Sequence, residues 1–253
     1  MPLVTLTSDF GTADGYVGAM KGVLATLAPD VRVIDLAHDV PRHDIAHAAW
    51  VLATSAFEFP VGTIHVAVVD PGVGGDRAEV VVATGGHVFV GPDNGVFAYV
   101  AQRHDGAWTI TSPEFRRTQA SPTFHGRDVF APAAAALARG LAPELAGPAT
   151  TLSGRLPWQV PAKLASSPAG IAAVGVIVHV DTYGNLITDL GDLGAGHVRV
   201  AGRDLALVRT YQDVPVGALC AYLGSAGTVE IAVREGSAAQ VLRIGRGEVV
   251  WAL

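Results

Sequence analysis

The chain has 253 residues, of which 50% are hydrophobic, so it can bury the core of one large domain or of two, which excludes a disordered protein. Its formal net charge is -6 and its only lysines are Lys21 and Lys163, which argues against binding to nucleic acid or an anionic membrane and favours a small-molecule substrate. The first residues lack the segments of a secretion signal, and no apolar run approaches the length that spans a bilayer. We therefore expect a cytoplasmic protein.

The N-terminal half alternates short apolar runs with segments of helical spacing. The predicted strands are 3–7, 31–36, 63–69, 79–84 and 87–90, and the predicted helices are 16–27, 45–57, one from 96 towards 103, and an Ala-rich helix that ends at Gly140. Strands that alternate with helices indicate a parallel sheet, whereas the last two strands follow each other without a helix. We therefore expect an α/β domain with a mostly parallel, mixed sheet.

The C-terminal half has a different pattern. Residues 147–170 are rich in Pro, Ser and Thr and lack periodicity, which indicates a linker. Short apolar runs separated by Gly and Asp follow, at 175–180, 186–189, 197–200, 204–208, 228–233 and 249–253. This pattern is typical of a small barrel or sandwich. The predicted domains are an α/β N-terminal domain, residues 1–160, and a smaller all-β, barrel-like C-terminal domain, residues 170–253.

A buried strand that ends on a carboxylate is the first candidate site. The stretch VAVVDPGVGGDR, residues 66–77, places Asp70 after an apolar run, and a glycine-rich loop leads from it to Arg77. Functional groups collect outside strand ends in open α/β sheets, and a returning strand would let the two side chains face each other. Such a pair suits catalysis and a structural ion pair equally.

The glycines of this loop have two interpretations. DPGVGG superficially resembles the glycine-rich fingerprint of dinucleotide-binding folds or of methyltransferase folds that use adenosylmethionine. That fingerprint, however, follows the first strand and opens a helix. Here the loop follows the third predicted strand, and another strand comes next. We therefore interpret the glycines as allowing close approach of the backbone to a ligand.

Further polar candidates lie in turns of the N-terminal half. Asp9 and Asp14 follow the first strand, where they could hold hydroxyls or an ammonium group. Alternatively, Asp9 makes an Asx-turn and Asp14 caps or precedes the next helix. His125 precedes the Ala-rich helix and could exchange a proton with water near Asp70, although a lone histidine is often a capping or core residue. The Asp and His residues lack the spacing of a zinc motif, and the chain has no G-x-S-x-G elbow, so we expect neither a metal nor acyl transfer.

The C-terminal half offers a second set of polar and aromatic residues. Tyr183, Asn185, Tyr211 and Ser225 provide aromatic faces, an amide and hydroxyls that suit a nucleobase and an amino acid. The turns that carry Tyr183, Asn185 and Ser225 could equally serve only to connect strands. The single cysteine, Cys220, lies in the apolar context ALCAYL, which predicts a buried structural thiol.

Five motifs in order along the chain resemble those of the S-adenosyl-L-methionine (SAM) hydroxide adenosyltransferases, relatives of the fluorinases and chlorinases. They are TSDFGTADGYVGAMKG, VVDPGVGGDR, GPDNGVF, PTFHGRDVF and DTYGNLITDL. The resemblance implies an N-terminal α/β domain joined to a C-terminal β-barrel. It also implies a homotrimer, with each site between one subunit's N-terminal domain and its neighbour's C-terminal domain. SAM would be the substrate, and no cofactor is expected.

The same resemblance implies the reaction. Hydrolases of this family have an Asp–Arg–His set that matches Asp70, Arg77 and His125, whereas the halogenases have tyrosines at the first and third positions. The fluorinases also have a serine where this chain has Gly126. The expected reaction is in-line attack of water at C5′ of SAM, giving adenosine and methionine, with the water positioned by the three residues. The alternatives are a non-catalytic adenosine- or SAM-binding protein and a halide-dependent SAM 5′-halogenase.

The resemblance also assigns the substrate-binding residues of the N-terminal half. Asp9 would hold the ribose hydroxyls and Asp14 the methionine ammonium group. Two positions depart from the fluorinases: His43 replaces a tryptophan on the methionine side, and Ala226 replaces an arginine next to the carboxylate-binding serine.

In the C-terminal half, Tyr183 and Asn185 would meet the adenine from the neighbouring subunit. Tyr211 would pack against the adenine ring, and Ser225 would meet the methionine carboxylate.

Overall fold

The computed structural model describes residues 1–102, 104–156, 173–192 and 196–253. The chain divides into two compact units, Met1–Leu156 and Pro157–Leu253. Much of the predicted linker, from residue 157 to 170, lies outside the described residues. Within the described part of the chain, no helix is long and apolar enough to cross a membrane.

The first unit is a six-stranded sheet with helices. Its elements are β1 (Leu3–Ser8), α1 (Tyr16–Leu27), β2 (Arg32–Ala37), α2 (Ile45–Ser55), β3 (Ile64–Val68), β4 (Glu79–Thr84), β5 (His87–Pro92), β6 (Gly106–Thr109), a π-helix (Gly126–Phe130) and α3 (Ala131–Ala138). The strand order is β2-β1-β3-β5-β4-β6, in which only β4 runs antiparallel to its neighbours β5 and β6. The predicted α/β domain with a mostly parallel, mixed sheet is confirmed.

The sheet separates two hydrophobic cores, because successive side chains of a strand point to opposite faces. Val66 and Val68 join one core, which α1 and α3 cover, whereas Ala67 and Val69 join the other, which includes residues of α2. This double burial explains why the run before Asp70 is continuously apolar. Asp70 is therefore the first charged residue after a strand that is buried on both faces.

The helix predicted from residue 96 towards 103 is wrong. The described residues of this segment, 96–102, form successive turns that begin after Gly95, whose φ is 105°. Val96 and Phe97 are buried in the second core, and the amide of Val96 bonds to the side chain of Asn94. The apolar spacing thus reflects burial of a turn and not a continuous helix. Strand β6, which follows, was not predicted.

The second unit is a closed barrel of seven strands within the described residues. They are β7 (Ala173–Val180), β8 (Leu186–Thr188), β9 (His197–Val200), β10 (Arg203–Val208), β11 (Leu219–Leu223), β12 (Val229–Val233) and β13 (Val249–Ala252), in the order β10-β11-β12-β8-β7-β13-β9. The predicted barrel-like domain is confirmed. Sequence analysis missed β11 and the short helix α4 (Ala238–Leu242). Cys220 of β11 is buried, as predicted.

Candidate active site

A cavity of about 390 Å³ opens in the first unit and is lined by Asp9, Asp14, Asp70 and His125, among others. Because β1 and β3 are parallel neighbours, the loops that follow them emerge at the same edge of the sheet. These loops carry Asp9 and Asp14 on one side and Asp70 on the other. The structure therefore brings together carboxylates that are far apart in the sequence.

Asp70 and Arg77 form a buried, multiply hydrogen-bonded pair. Nε of Arg77 lies 2.9 and 3.0 Å from the two carboxylate oxygens of Asp70, and its Nη2 lies 2.6 Å from Oδ2. The Asp70 side chain is 3% exposed and the Arg77 side chain 10%. Burial disfavours the charged guanidinium, but the hydrogen bonds and charges of Asp70 and Glu79 outweigh it and raise the pKa of Arg77. The pair holds the carboxylate in one orientation at the cavity wall.

His125 meets this pair from the other side. Its Nδ1 lies 2.7 Å from Nη2 of Arg77, and the residue directly precedes the π-helix without capping it through its side chain. Burial, followed by the positive charge of Arg77, lowers the pKa of His125 below its usual value. The imidazole is therefore mainly neutral at and above neutral pH, the state in which it can accept a proton.

Sequence analysis missed a second carboxylate in this cluster, Glu79. Its Oε1 lies 3.2 Å from Nη1 of Arg77 and 3.0 Å from Nδ1 of His125, and its Oε2 lies 3.7 Å from Arg116. One signal could have found it: Glu79 lies two residues after Arg77 at the start of a strand, and residues i and i+2 of extended chain point to the same side.

A buried carboxylate, Asp128, fixes the loop that presents His125. Its Oδ2 accepts a 2.9 Å hydrogen bond from the Ser121 amide, and its oxygens also accept hydrogen bonds from Arg117 and Arg127. The Arg127 hydrogen bond is the main cause that lowers the pKa of Asp128 to about 2. Asp128 thus links the two ends of the segment 121–128 by a hydrogen bond, a role that the sequence did not predict.

The glycine-rich loop between Asp70 and Arg77 packs against the same segment. Gly74 has a φ of 77°, and a Cβ atom at this position would collide with the carbonyl oxygen of Pro122. The close backbone approach expected from the glycines is thus made to another loop of the protein. The GPDNG motif also acts locally, because the Asn94 side chain donates a 2.9 Å hydrogen bond to the Val69 carbonyl beside Asp70.

The loop after β1 leaves its carboxylates directed to the cavity. Helix α1 begins after Gly15 without a side-chain cap, so Asp14 does not cap it. The carboxylate of Asp9 accepts a 2.9 Å hydrogen bond from the amide of His43, whose φ is 64°. His43 also lines the cavity. The alternative in which Asp14 caps the helix is therefore wrong, and Asp9 is anchored by a residue 34 positions away.

The predicted residues of the C-terminal half line a cavity of about 630 Å³ in the second unit. This cavity includes Tyr183, Asn185, Tyr211 and Ser225. Asp181 accepts a 2.9 Å hydrogen bond from Nδ2 of Asn185. This hydrogen bond sets the orientation of the side-chain amide, whose Oδ1 can then accept from a donor such as an exocyclic amine.

The described residues contain no group of three or more His, Cys, Asp or Glu side chains arranged to hold a metal ion. The expected independence from cofactors stays a prediction.

Family models match both parts of the chain. The N-terminal domain model of the SAM hydroxide adenosyltransferases matches residues 4–147, and the C-terminal domain model matches residues 175–251. The chain therefore belongs to the SAM hydroxide adenosyltransferase family, as its motifs predicted.

Individual relatives agree with this assignment. The chain is 43% identical over 255 residues to the (R)-S-adenosyl-L-methionine hydrolase of Thermus thermophilus, covering 96% of both chains. It is 26% identical over 286 residues to the fluorinase of Nocardia brasiliensis, covering 97% of this chain and 95% of that one. A solved structure of an uncharacterized conserved protein from Thermotoga maritima superposes with a TM-score of 0.85 at 32% identity, covering 98% and 99% of the two chains. The chain is thus more similar to the named hydrolase than to the fluorinase.

Proposed function

We propose that this protein hydrolyses SAM at C5′ to adenosine and L-methionine. The observation that carries the proposal is the carboxylate of Asp70, held at the wall of a cavity by Arg77 with His125 alongside. Family membership and the named hydrolase relatives support the same reaction.

The sulfonium of SAM is a good leaving group, so the protein mainly has to place one water in line with the C5′–S bond. Positioning of this kind lowers a barrier by roughly 7–11 kcal/mol. In the proposed step the water oxygen bonds to C5′, the C5′–S bond breaks, and methionine leaves with the bonding electrons. Asp70 accepts a hydrogen bond from the water and orients its lone pair, and the released proton passes to His125 and then to solvent.

The charge of the cavity suits a cationic substrate. Three carboxylates, those of Asp9, Asp14 and Asp70, line it with one arginine, Arg42. In the proposal Asp9 holds the ribose hydroxyls and Asp14 the methionine ammonium group. Loss of water around the sulfonium is offset by these fixed carboxylates. After C5′–S cleavage the sulfur is neutral, so this attraction weakens and favours release of methionine.

The names of the relatives specify the R configuration at sulfur. We propose the same preference here, because the two sulfonium epimers direct the methyl group to opposite sides of the C5′–S–Cγ plane. If Asp70 holds the water and Asp14 the ammonium group, both ends of the substrate are fixed, and the two epimers place the methyl group against different parts of the cavity wall.

Product analysis tests the reaction. Purified protein incubated with the separated epimers should release adenosine and methionine in equal amounts, faster from the R epimer. Formation of S-adenosylhomocysteine, a halogenated adenosine when chloride or fluoride is added, or no consumption of either epimer would contradict the proposal.

We further propose that the active form is a homotrimer in which the neighbouring subunit's Tyr183, Asn185, Tyr211 and Ser225 complete each site. The family resemblance supports this arrangement, and so does the division of the ligand-binding residue types between the two units. At a SAM concentration well below the raised KM of Asn185→Ala, the Asp70→Asn and Asn185→Ala chains should each have low activity alone and should complement each other when mixed and refolded. Random assembly of equal amounts predicts recovery of about a quarter of the wild-type sites. Absence of recovery in a mixed trimer would contradict shared sites.

A further inference from the structure

One ring nitrogen of His125, Nδ1, lies within hydrogen-bond distance of both a donor and an acceptor. Nη2 of Arg77 is 2.7 Å away and can only donate, whereas Oε1 of Glu79 is 3.0 Å away and accepts. A single ring nitrogen cannot accept from the first and donate to the second at the same time. The geometry therefore defines two alternative states of the same imidazole.

The two states differ at the other ring nitrogen. When Nδ1 accepts from Arg77, the proton of the neutral ring is on Nε2, which can then only donate. When Nδ1 donates to Glu79, Nε2 carries a lone pair and can take a proton. His125 lines the cavity while Arg77 and Glu79 do not, so Nε2 is the nitrogen left for the contents of the cavity.

We propose that Glu79 is a positioning residue that selects the Nδ1–H tautomer of His125, so that Nε2 accepts the proton released by the attacking water. This inference rests on the proposed hydrolysis and adds a residue to it. Once Nε2 is protonated, both nitrogens carry hydrogen, and the Nδ1–H bond to Glu79 holds the imidazolium until its proton leaves. Arg77 then donates only to Asp70 and Glu79, and its Nη2 has to withdraw from the 2.7 Å contact with Nδ1, because two donors repel each other.

The surroundings of Glu79 support this role. Arg116 donates to the Ile110 carbonyl and lies 3.7 Å from Oε2 of Glu79, the oxygen that is not paired with His125, so the carboxylate has a cationic partner at each oxygen. The charged groups that act on His125 are Arg77, Glu79, Asp70 and Arg116, and the ring of Phe130 lies against it. Of these, Glu79 and Asp70 favour the protonated imidazole, whereas Arg77 and Arg116 disfavour it. Only Glu79 combines a favourable charge with contact to Nδ1.

The tautomer can be measured without turnover. In protein labelled with ¹⁵N-histidine, the two ring-nitrogen shifts of His125, assigned by loss of the signals in His125→Asn, report which nitrogen carries the proton. We expect Nδ1–H in the wild type above neutral pH. We expect Nε2–H in Glu79→Gln, because a neutral amide oxygen is a weaker acceptor than a carboxylate and no longer outweighs the donor Arg77. Nε2–H in the wild type, or the same tautomer in both proteins, would overturn the proposal.

Kinetics supply the second readout. Glu79→Gln should lower kcat by about tenfold or more, with KM changed less than about twofold. Loss of the negative charge lowers the pKa of His125 further, so the acid limb of the kcat–pH profile should move to lower pH. Glu79→Asp, which keeps the charge, should restore part of kcat, and Glu144→Gln, the same change at an exposed position, should leave both parameters unaltered. An unmoved acid limb in a folded Glu79→Gln protein would overturn the proposal.

The two hypotheses fail in different ways. If the wild type releases no adenosine, the proposed hydrolysis is wrong whatever the tautomer. If the wild type turns over while Glu79→Gln keeps its tautomer and pH profile, only the role of Glu79 is wrong.

Discussion

Replacement of Asp70 by asparagine tests whether the Asp70–Arg77 ion pair is only structural or also catalytic. The change keeps the shape of the side chain but removes the charge that faces Arg77 at 2.6 Å. Both side chains are at least nine-tenths buried, and loss of one partner of a buried pair typically costs about 3–5 kcal/mol. Here Glu79 still contacts Arg77 at 3.2 Å, so we expect the lower end, about 3 kcal/mol.

For a chain of this size, such a loss lowers Tm by about 6–12 °C, which calorimetry or a thermal fluorescence scan resolves. The double variant Asp70→Asn/Arg77→Met should recover part of the lost stability, because no guanidinium is left without its partner. It should recover no activity. We expect kcat for adenosine release to fall about 100-fold or more in both variants, while the Kd for adenosine stays within about threefold.

Asp76→Asn provides the matched control, because it makes the same chemical change at an exposed position of the same loop. It should leave Tm and kcat at wild-type values. If Asp70→Asn loses stability but retains turnover, the pair is structural only. Near-normal turnover in the double variant would refute the mechanism outright.

Three further predictions address the parts that hold the site. Asp128→Asn should lower the free energy of unfolding by up to about 2 kcal/mol above pH 4, as measured by denaturant titration. Because folding lowers the pKa of Asp128 to about 2, the difference from the wild type should fade as the pH falls from 4 towards 2. Gly74→Ala should lower Tm and kcat more than Gly62→Ala. Both glycines have positive φ, but only at Gly74 would the added Cβ collide with the Pro122 carbonyl oxygen. Equal losses would refute the role of this contact. Asn185→Ala should raise KM while leaving kcat within about threefold, because it removes an acceptor remote from the reacting bond; an unchanged KM in initial-rate measurements would contradict adenine binding there.

The sequence allowed the Asp70–Arg77 pair to be predicted because both residues flank one short loop between two strands. Strand ends and loop lengths are local features, so periodicity and turn chemistry detect them. His125 lies 48 residues beyond Arg77, and only its motif connected it with the pair. Asp128 was not predicted because its role depends on contacts that the fold creates. Glu79 was also missed, although its position two residues after Arg77 was a local signal for it.

The errors in the fold have a similar origin. The spacing of Val96, Phe97 and neighbouring apolar residues fits a helix, yet the segment forms turns that bury those side chains in the second core. Local periodicity records which residues are buried and does not specify whether a helix or a series of turns buries them. The fate of Asp14 was open for the same reason, since the start of α1 at Tyr16 excludes it from the cap position.

The central claim is that a water placed by Asp70 attacks C5′ of SAM. A reaction run in ¹⁸O-labelled water, with the products examined by mass spectrometry, tests it most directly. We predict adenosine that carries the label at its 5′ oxygen and unlabelled methionine, with this product almost lost in Asp70→Asn. Unlabelled adenosine, or labelled methanol together with S-adenosylhomocysteine, would contradict attack of water at C5′.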